Sequence, residues 1–193
     1  MHRVAVFHFI VAACLCLGVV LPDGAAQNQK SSDKDDNFDV RSTVGDLHLG
    51  KDADAAKAGL PLYPGARPKQ DKDNDPLNFG VLTQSFGFKI VVAKYESNDA
   101  PDKILGFYRD KLKKYGKVLE CHNRSDDSGF DFDDDSDHPK PLKCEGNNSG
   151  PDRELKVGTE DNQRVVAVEP GDGGKGSIFT IVYVYKRGKQ ADI

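Results

Sequence analysis

In the C-terminal part of the chain, three apolar-rich runs are separated by short polar or glycine-rich breaks. These runs, RELKVGT, QRVVAVEP and SIFTIVYVYKR, predict a meander of three strands. The last is apolar on both faces, with Ile178, Val182 and Val184 on one and Phe179, Ile181 and Tyr183 on the other. That pattern places it in the middle of a sheet. LNFGVLTQSFGFKIVVAKYES predicts two more strands around a turn at Ser85, Phe86 and Gly87, the second again apolar on both faces. Upstream, FDVRSTVGDLHLG holds two short alternating runs about a turn near Gly45 and predicts a small hairpin. KVLEC regains strand character up to Cys121, and PLKC, ending at Cys144, predicts a short return strand.

One segment changes to a helical period. Ile104, Leu105, Tyr108 and Leu112 recur at helical spacing, with Phe107 beside them. Asp99 is the expected N-cap, Pro101 suits the first turn, Asp102 complements the helix dipole and Gly116 ends the run. Lys103, Arg109, Lys111, Lys113 and Lys114 make the outer side basic, the pattern of a solvated helix surface. DADAAKA predicts one or two helical turns stopping at Gly59. LPLYPGARP then predicts an ordered, extended segment that lines the core with Leu60, Leu62 and Tyr63.

Together these elements predict an α+β fold. A mainly antiparallel sheet carries one principal helix, about residues 100–115, on one face. One helix cannot cover both faces of such a sheet, so the N-terminal hairpin and the Pro-rich segment are expected to cover the other.

Composition adds domain limits and a compartment. The 193 residues suit one domain, placed at 38–187, with a polar leader at 27–37 and a tail at 188–193. Net charge is −4 with the signs interleaved, and no basic stripe suited to phosphates is present, which argues against a nucleic-acid partner. At the N-terminus a short basic MHR precedes an apolar run from Val4 to Leu21. PDG and small residues follow, with Gly24 and Ala26 at the −3 and −1 positions of a signal-peptidase site. Residues 1–26 are therefore expected to be a signal peptide cleaved before Gln27. Two alternatives stand beside this: an uncleaved anchor, and a lipoprotein in which Cys14, at the end of VAAC, is lipidated. All three imply export, to the periplasm or outside the cell. Membrane attachment is expected only through an uncleaved signal or a lipidated Cys14.

Cleavage would remove Cys14 and Cys16 and leave Cys121 with Cys144. Two cysteines in an oxidising compartment pair, so a disulfide is expected between them. The stretch they bracket, CHNRSDDSGFDFDDDSDHPKPLKC, is rich in aspartate and invites a calcium reading. Asp131, Asp133 and Asp135 fit the first three ligand positions, but Ser136 and Leu142 then fall where a glycine and a glutamate belong. Starting at Asp133 and running through Asp137 puts His138 and Cys144 there instead. These four aspartates are weak calcium candidates, and 123–140 is expected to be a solvated loop whose base the disulfide holds.

GDGGKG, 171–176, satisfies G-x-G-x-x-G, but a strand follows it where the phosphate mechanism needs a helix. It is expected to be a hairpin connection. His48, His122 and His138 occur singly, without zinc-ligand spacing. Asn123 and Asn147 open formal N-glycosylation sequons, relevant only in a eukaryotic host. No nucleophile elbow or Walker loop is present, and no catalytic residue, cofactor or metal is expected.

Tyr63, Pro64, Gly65, Ala66, Phe107, Tyr108, Leu112 and Gly116 carry a resemblance. Over residues 38 to 186 the chain resembles a group of uncharacterised exported bacterial proteins. They share an "lPxYPGA" segment, an "FYxxxLxxxG" helix and a C-terminal strand meander. The resemblance implies a fold and an envelope setting, and no activity. The expectation is a non-enzymatic binding or structural module of the cell envelope, its partner an envelope component or a small ligand. The alternative is a hydrolase or metal-dependent enzyme with a site assembled from scattered residues. An enzyme should show a pocket with convergent titratable groups, and a binding module an apolar patch or an open sheet edge.

Overall fold

The strands predicted from alternation form one antiparallel sheet in the computed structural model, which describes residues 37–69, 76–123, 140–144 and 148–188. The expected signal peptide, nearly all of the leader, Asp131, Asp133, Asp135, Asp137, His138 and most of the tail lie outside those residues. In chain order the strands are β1 (Phe38–Arg41), β2 (Gly45–Gly50), β3 (Arg67–Pro68), β4 (Leu77–Thr83) and β5 (Gly87–Ser97). Helix α1 (Pro101–Leu112) follows, then β6 (Leu119–Asn123), β7 (Asp152–Thr159), β8 (Asn162–Pro170) and β9 (Ser177–Arg187). The spatial order is β1-β2-β4-β5-β9-β8-β7-β6, with β3 paired to the far end of β5.

That order follows from one crossing. The helix carries the chain from β5 to the opposite edge, and the meander β6 to β9 then returns until β9 meets β5. This places β9 centrally, as its two apolar faces predict. The link from β8 to β9 is the glycine-rich GDGGKG, closed by a bond from the Gly171 N–H to the Gly176 carbonyl.

The main core lies under α1. Ile104, Leu105, Tyr108 and Leu112 pack on Leu155, Val157, Val166, Phe179 and Ile181 of β7, β8 and β9. A helix about 10 Å wide covers little more than two strand spacings of about 4.8 Å, so the neighbouring part of this face needs another cover. Leu60 and Tyr63 supply it, packed in the same cluster as Ala93 and Tyr95 of β5. The Pro-rich segment thus lies on the helix side of the sheet. The expectation that it would cover the opposite face is corrected by this packing.

The turn before that segment is closed at both ends. The Lys57 N–H donates to Asp54 Oδ1 at its start. At its end Gly59 adopts φ 76°, its N–H donates to Ala56 and the Leu60 N–H donates to Ala55. That is the Schellman pattern, with Leu60 and Ala55 in contact with the core. Arg164 of β8 holds the turn to the sheet. Its guanidinium lies 3.7 Å from the Tyr115 ring centroid and 4.4 Å from that of Tyr183, and its Nε donates to the Ala58 carbonyl.

The N-terminal hairpin corrects the expectation in a second way. It does not lie over the sheet but extends it, because β2 pairs with β4 from Gly45↔Thr83 to Gly50↔Asn78. A hairpin laid across the face would leave its own edges and that of β4 without partners; edge pairing satisfies β2 and β4 together. Two smaller expectations also change. Asp99 does not cap α1, whose N-cap Ala100 makes no side-chain bond. Its carboxylate instead accepts from Tyr63 Oη at 2.8 Å and Lys103 Nζ at 2.7 Å. PLKC forms no return strand: Pro141 makes an isolated bridge to Thr159. A proline cannot donate to a ladder, and the disulfide then sets the course of the segment.

Candidate binding surface

Directly opposed residues of neighbouring strands share a face, so the register maps the side of the sheet opposite α1. One row runs Phe38, Leu49, Phe79, Ile90 and Val184, reaching Gln163. Beside it run Leu77, Val92, Val182, Val165 and Lys156, reaching Leu119 of β6. A third row is Val40, Leu47, Val81 and Phe88, ending at Lys186. Val165, Val182 and Val184 are buried, with Phe88, Ile90 and Val92 packed against them. Exposure rises toward β1, to 46% at Leu49, 52% at Phe38 and 41% at Val40. Burying a side chain of this kind fully is worth about 1.5–3 kcal/mol, so roughly half of that is unrealised at each of the three. Other exposed apolar residues, such as Val44 and Leu62, stand apart from these rows. A contiguous patch is the informative case.

The disulfide lies on this face too. Cys121 faces Glu154 across β6 and β7, in the row beside Lys156. It bonds to Cys144 with a Cα–Cα distance of 5.3 Å, as the two-cysteine argument predicts. Glu154 and Lys156, next to it on β7, form an ion pair at 3.2 Å. The bond therefore lies at the border of the apolar surface.

The other side of the hairpin carries a polar knot. Asp39, opposite His48 in β2, bonds its Nδ1 at 2.8 Å. Asp52 Oδ1 lies 3.2 Å from Nε2, and Asn78 Nδ2 is 2.8 Å from Nε2 and 2.9 Å from Asp52 Oδ1. Lys57 Nζ donates to the Asp52 carboxylate and to its carbonyl. Burial alone would raise the Asp52 pKa, but the bonds from Lys57, Asn78 and His48 outweigh it and lower it from 3.8 to about 2. Both ring nitrogens of His48 are engaged within the fold, so the knot ties the hairpin to the segment after it. Among the described residues no group of three His, Cys, Asp or Glu is placed to hold a metal ion.

A depressed folded-state pKa stabilises above the unfolded value and is lost as pH falls through the folded one. The Asp52 contribution should therefore be full above pH 3.8 and disappear toward pH 2. Asp52→Asn is expected to lose on the order of 1 kcal/mol at neutral pH, given its partial exposure, and to flatten the acid limb of the stability curve. Urea unfolding across pH 2–7 checks this: an unchanged acid limb would show that Asp52 is not held in this way.

A second polar network anchors the helix. Glu120 of β6 accepts from Arg153 of β7 at 2.6 Å and from Arg109 of α1, and Arg153 also reaches Asp102. Arg153 first, then Arg109, holds the Glu120 carboxyl below its ordinary range against the opposing effect of burial. His122 engages through its backbone, its N–H donating to Asn148 Oδ1 at 2.6 Å. The sequence singled out His48 but missed Asp39, Asp52 and Asn78 as its partners. The cross-strand Asp39 was recoverable only with the turn placed at Thr43 and Val44, which sets it opposite His48.

No protein-family model, curated protein or solved structure matches the chain.

Proposed function

We propose that this protein is a non-enzymatic binding module of the cell envelope, exported by its N-terminal segment, whose open sheet face takes an apolar ligand. The observation that carries the reading is the contiguous row Phe38, Leu49, Phe79 and Ile90, exposed at its outer end. A folded chain keeps such a patch in water at a cost that ligand burial offsets. Kinship with the exported "lPxYPGA" group remains part of the proposal. Of the residues that carry the resemblance, Tyr63, Tyr108 and Leu112 are buried core positions, so what they would transmit is architecture.

Fluorescence titration with the uncharged probe 1-N-phenylnaphthylamine tests the reading. Saturable binding is expected in the wild type, weakened about tenfold or more in Phe38→Ser/Leu49→Ser, which removes apolar contact worth about 1.5–3 kcal/mol. Both residues are about half exposed, so the melting temperature should change little. Equal binding by the wild type and the variant would refute the assignment to this face.

A further inference from the structure

The two ends of the sheet are finished differently. At the β6 end, the His122 N–H donates to Asn148 and its carbonyl accepts from the Gly150 N–H at 3.0 Å. The disulfide straps the same strand. At the other end, β1 pairs with β2 alone among the described residues, and all four of its residues are exposed.

The hairpin's own bonding decides which groups β1 offers. The Ser42 N–H donates to the Gly45 carbonyl, a narrow pair at the turn. Antiparallel ladders alternate narrow and wide pairs, so Val40↔Leu47 and Phe38↔Leu49 are narrow as well. Val40 and Phe38 thus turn their backbone groups toward β2, while Asp39 and Arg41 turn theirs outward.

We propose that β1 pairs with β1 of a second copy, antiparallel about a two-fold axis at Val40, giving a homodimer with one continuous sheet. Centring on Asp39, Val40 or Arg41 would each match the outward groups. Centring on Asp39 sets two like carboxylates opposite each other, and centring on Arg41 two like guanidinium groups, both unfavourable. Centring on Val40 sets Asp39 opposite the partner's Arg41 and Arg41 opposite the partner's Asp39. It also sets the two Val40 side chains together, joining the two apolar faces. The contact is isologous and therefore closed. Three residues of each β1 in register, 39 to 41, imply a weak, concentration-dependent dimer rather than an obligate one. The inference rests on the edge and goes beyond the apolar-ligand reading, with which it shares Phe38 and Val40.

Sedimentation velocity of the full chain into the high micromolar range is the first test. A monomer–dimer equilibrium is expected, with dissociation raised about tenfold in Arg41→Asp and restored in Asp39→Arg/Arg41→Asp. Val40→Cys is the second test, because the opposed Cα atoms would lie about 4.5 Å apart and can form a disulfide. Oxidation should yield a peptide joined at position 40, identified by mass spectrometry. Phe38→Cys should not cross-link, its two copies being about 13 Å apart. A monomer at all concentrations overturns the proposal, including the case in which β1 pairs only with a strand of another protein. So does a dimer that Arg41→Asp leaves intact, or one cross-linked through position 38 and not 40. Circular dichroism confirms that each variant is folded. Because Arg41→Asp keeps the apolar rows, its binding of the naphthylamine probe reports on the ligand reading separately.

Discussion

Tyr108→Ala is expected to lower the unfolding free energy by about 4 kcal/mol, within the range for removing a buried aromatic ring. Tyr108 is fully buried, its ring 5.0 Å from that of Phe107 and 5.6 Å from that of Phe179. Its hydroxyl accepts the Tyr63 N–H at 3.1 Å, which joins the helix to the Pro-rich segment. Burial pushes the phenol pKa well above its ordinary value, so it stays neutral across the working pH range. Tyr108→Phe separates the two contributions: it keeps the ring but leaves a buried N–H without its acceptor, at about 1–3 kcal/mol. Urea unfolding at neutral pH without reductant measures both. A loss below about 1 kcal/mol for the alanine variant would contradict the packing of α1 and residues 60–63 against one another.

Removing the disulfide should have an effect of similar size. Cys121 and Cys144 close a loop with a sequence separation of 23, worth about 3 kcal/mol in the chain-entropy model. For a domain of this size that corresponds to a fall of roughly 6–12 °C in the melting temperature. Calorimetry of Cys121→Ala/Cys144→Ala, and of the wild type with and without reductant, should show the same shift twice. Identical melting in all three samples would mean that the bond does not stabilise the fold.

Where periodicity is local, the sequence was legible. The helix repeats Ile104, Leu105, Tyr108 and Leu112, and β9 is apolar on both parities; both elements lie where these patterns put them. Legibility fell where a choice depended on distant partners. Alternation in the hairpin predicts a half-buried strand pair, but it does not say whether that pair lies on a sheet or joins its edge. The unpaired side of β4 decided the matter, and β4 lies about thirty residues further on. Asp99 has an N-cap side chain but stands one residue before the N-cap Ala100, and Tyr63 and Lys103 hold its carboxylate instead. Asn78 reaches His48 only because β2 and β4 are neighbours, so that part of the knot left no local signal.

Ligand binding is proposed to occur on the face opposite α1. Methyl-selective NMR during titration with 1-N-phenylnaphthylamine tests it residue by residue. Shifts are expected at Val40, Leu47, Leu49, Val81 and Ile90, with Ile104, Leu105 and Leu112 unmoved. Shifts centred on the helix-side methyls, with Val40 and Leu49 unchanged, would contradict it.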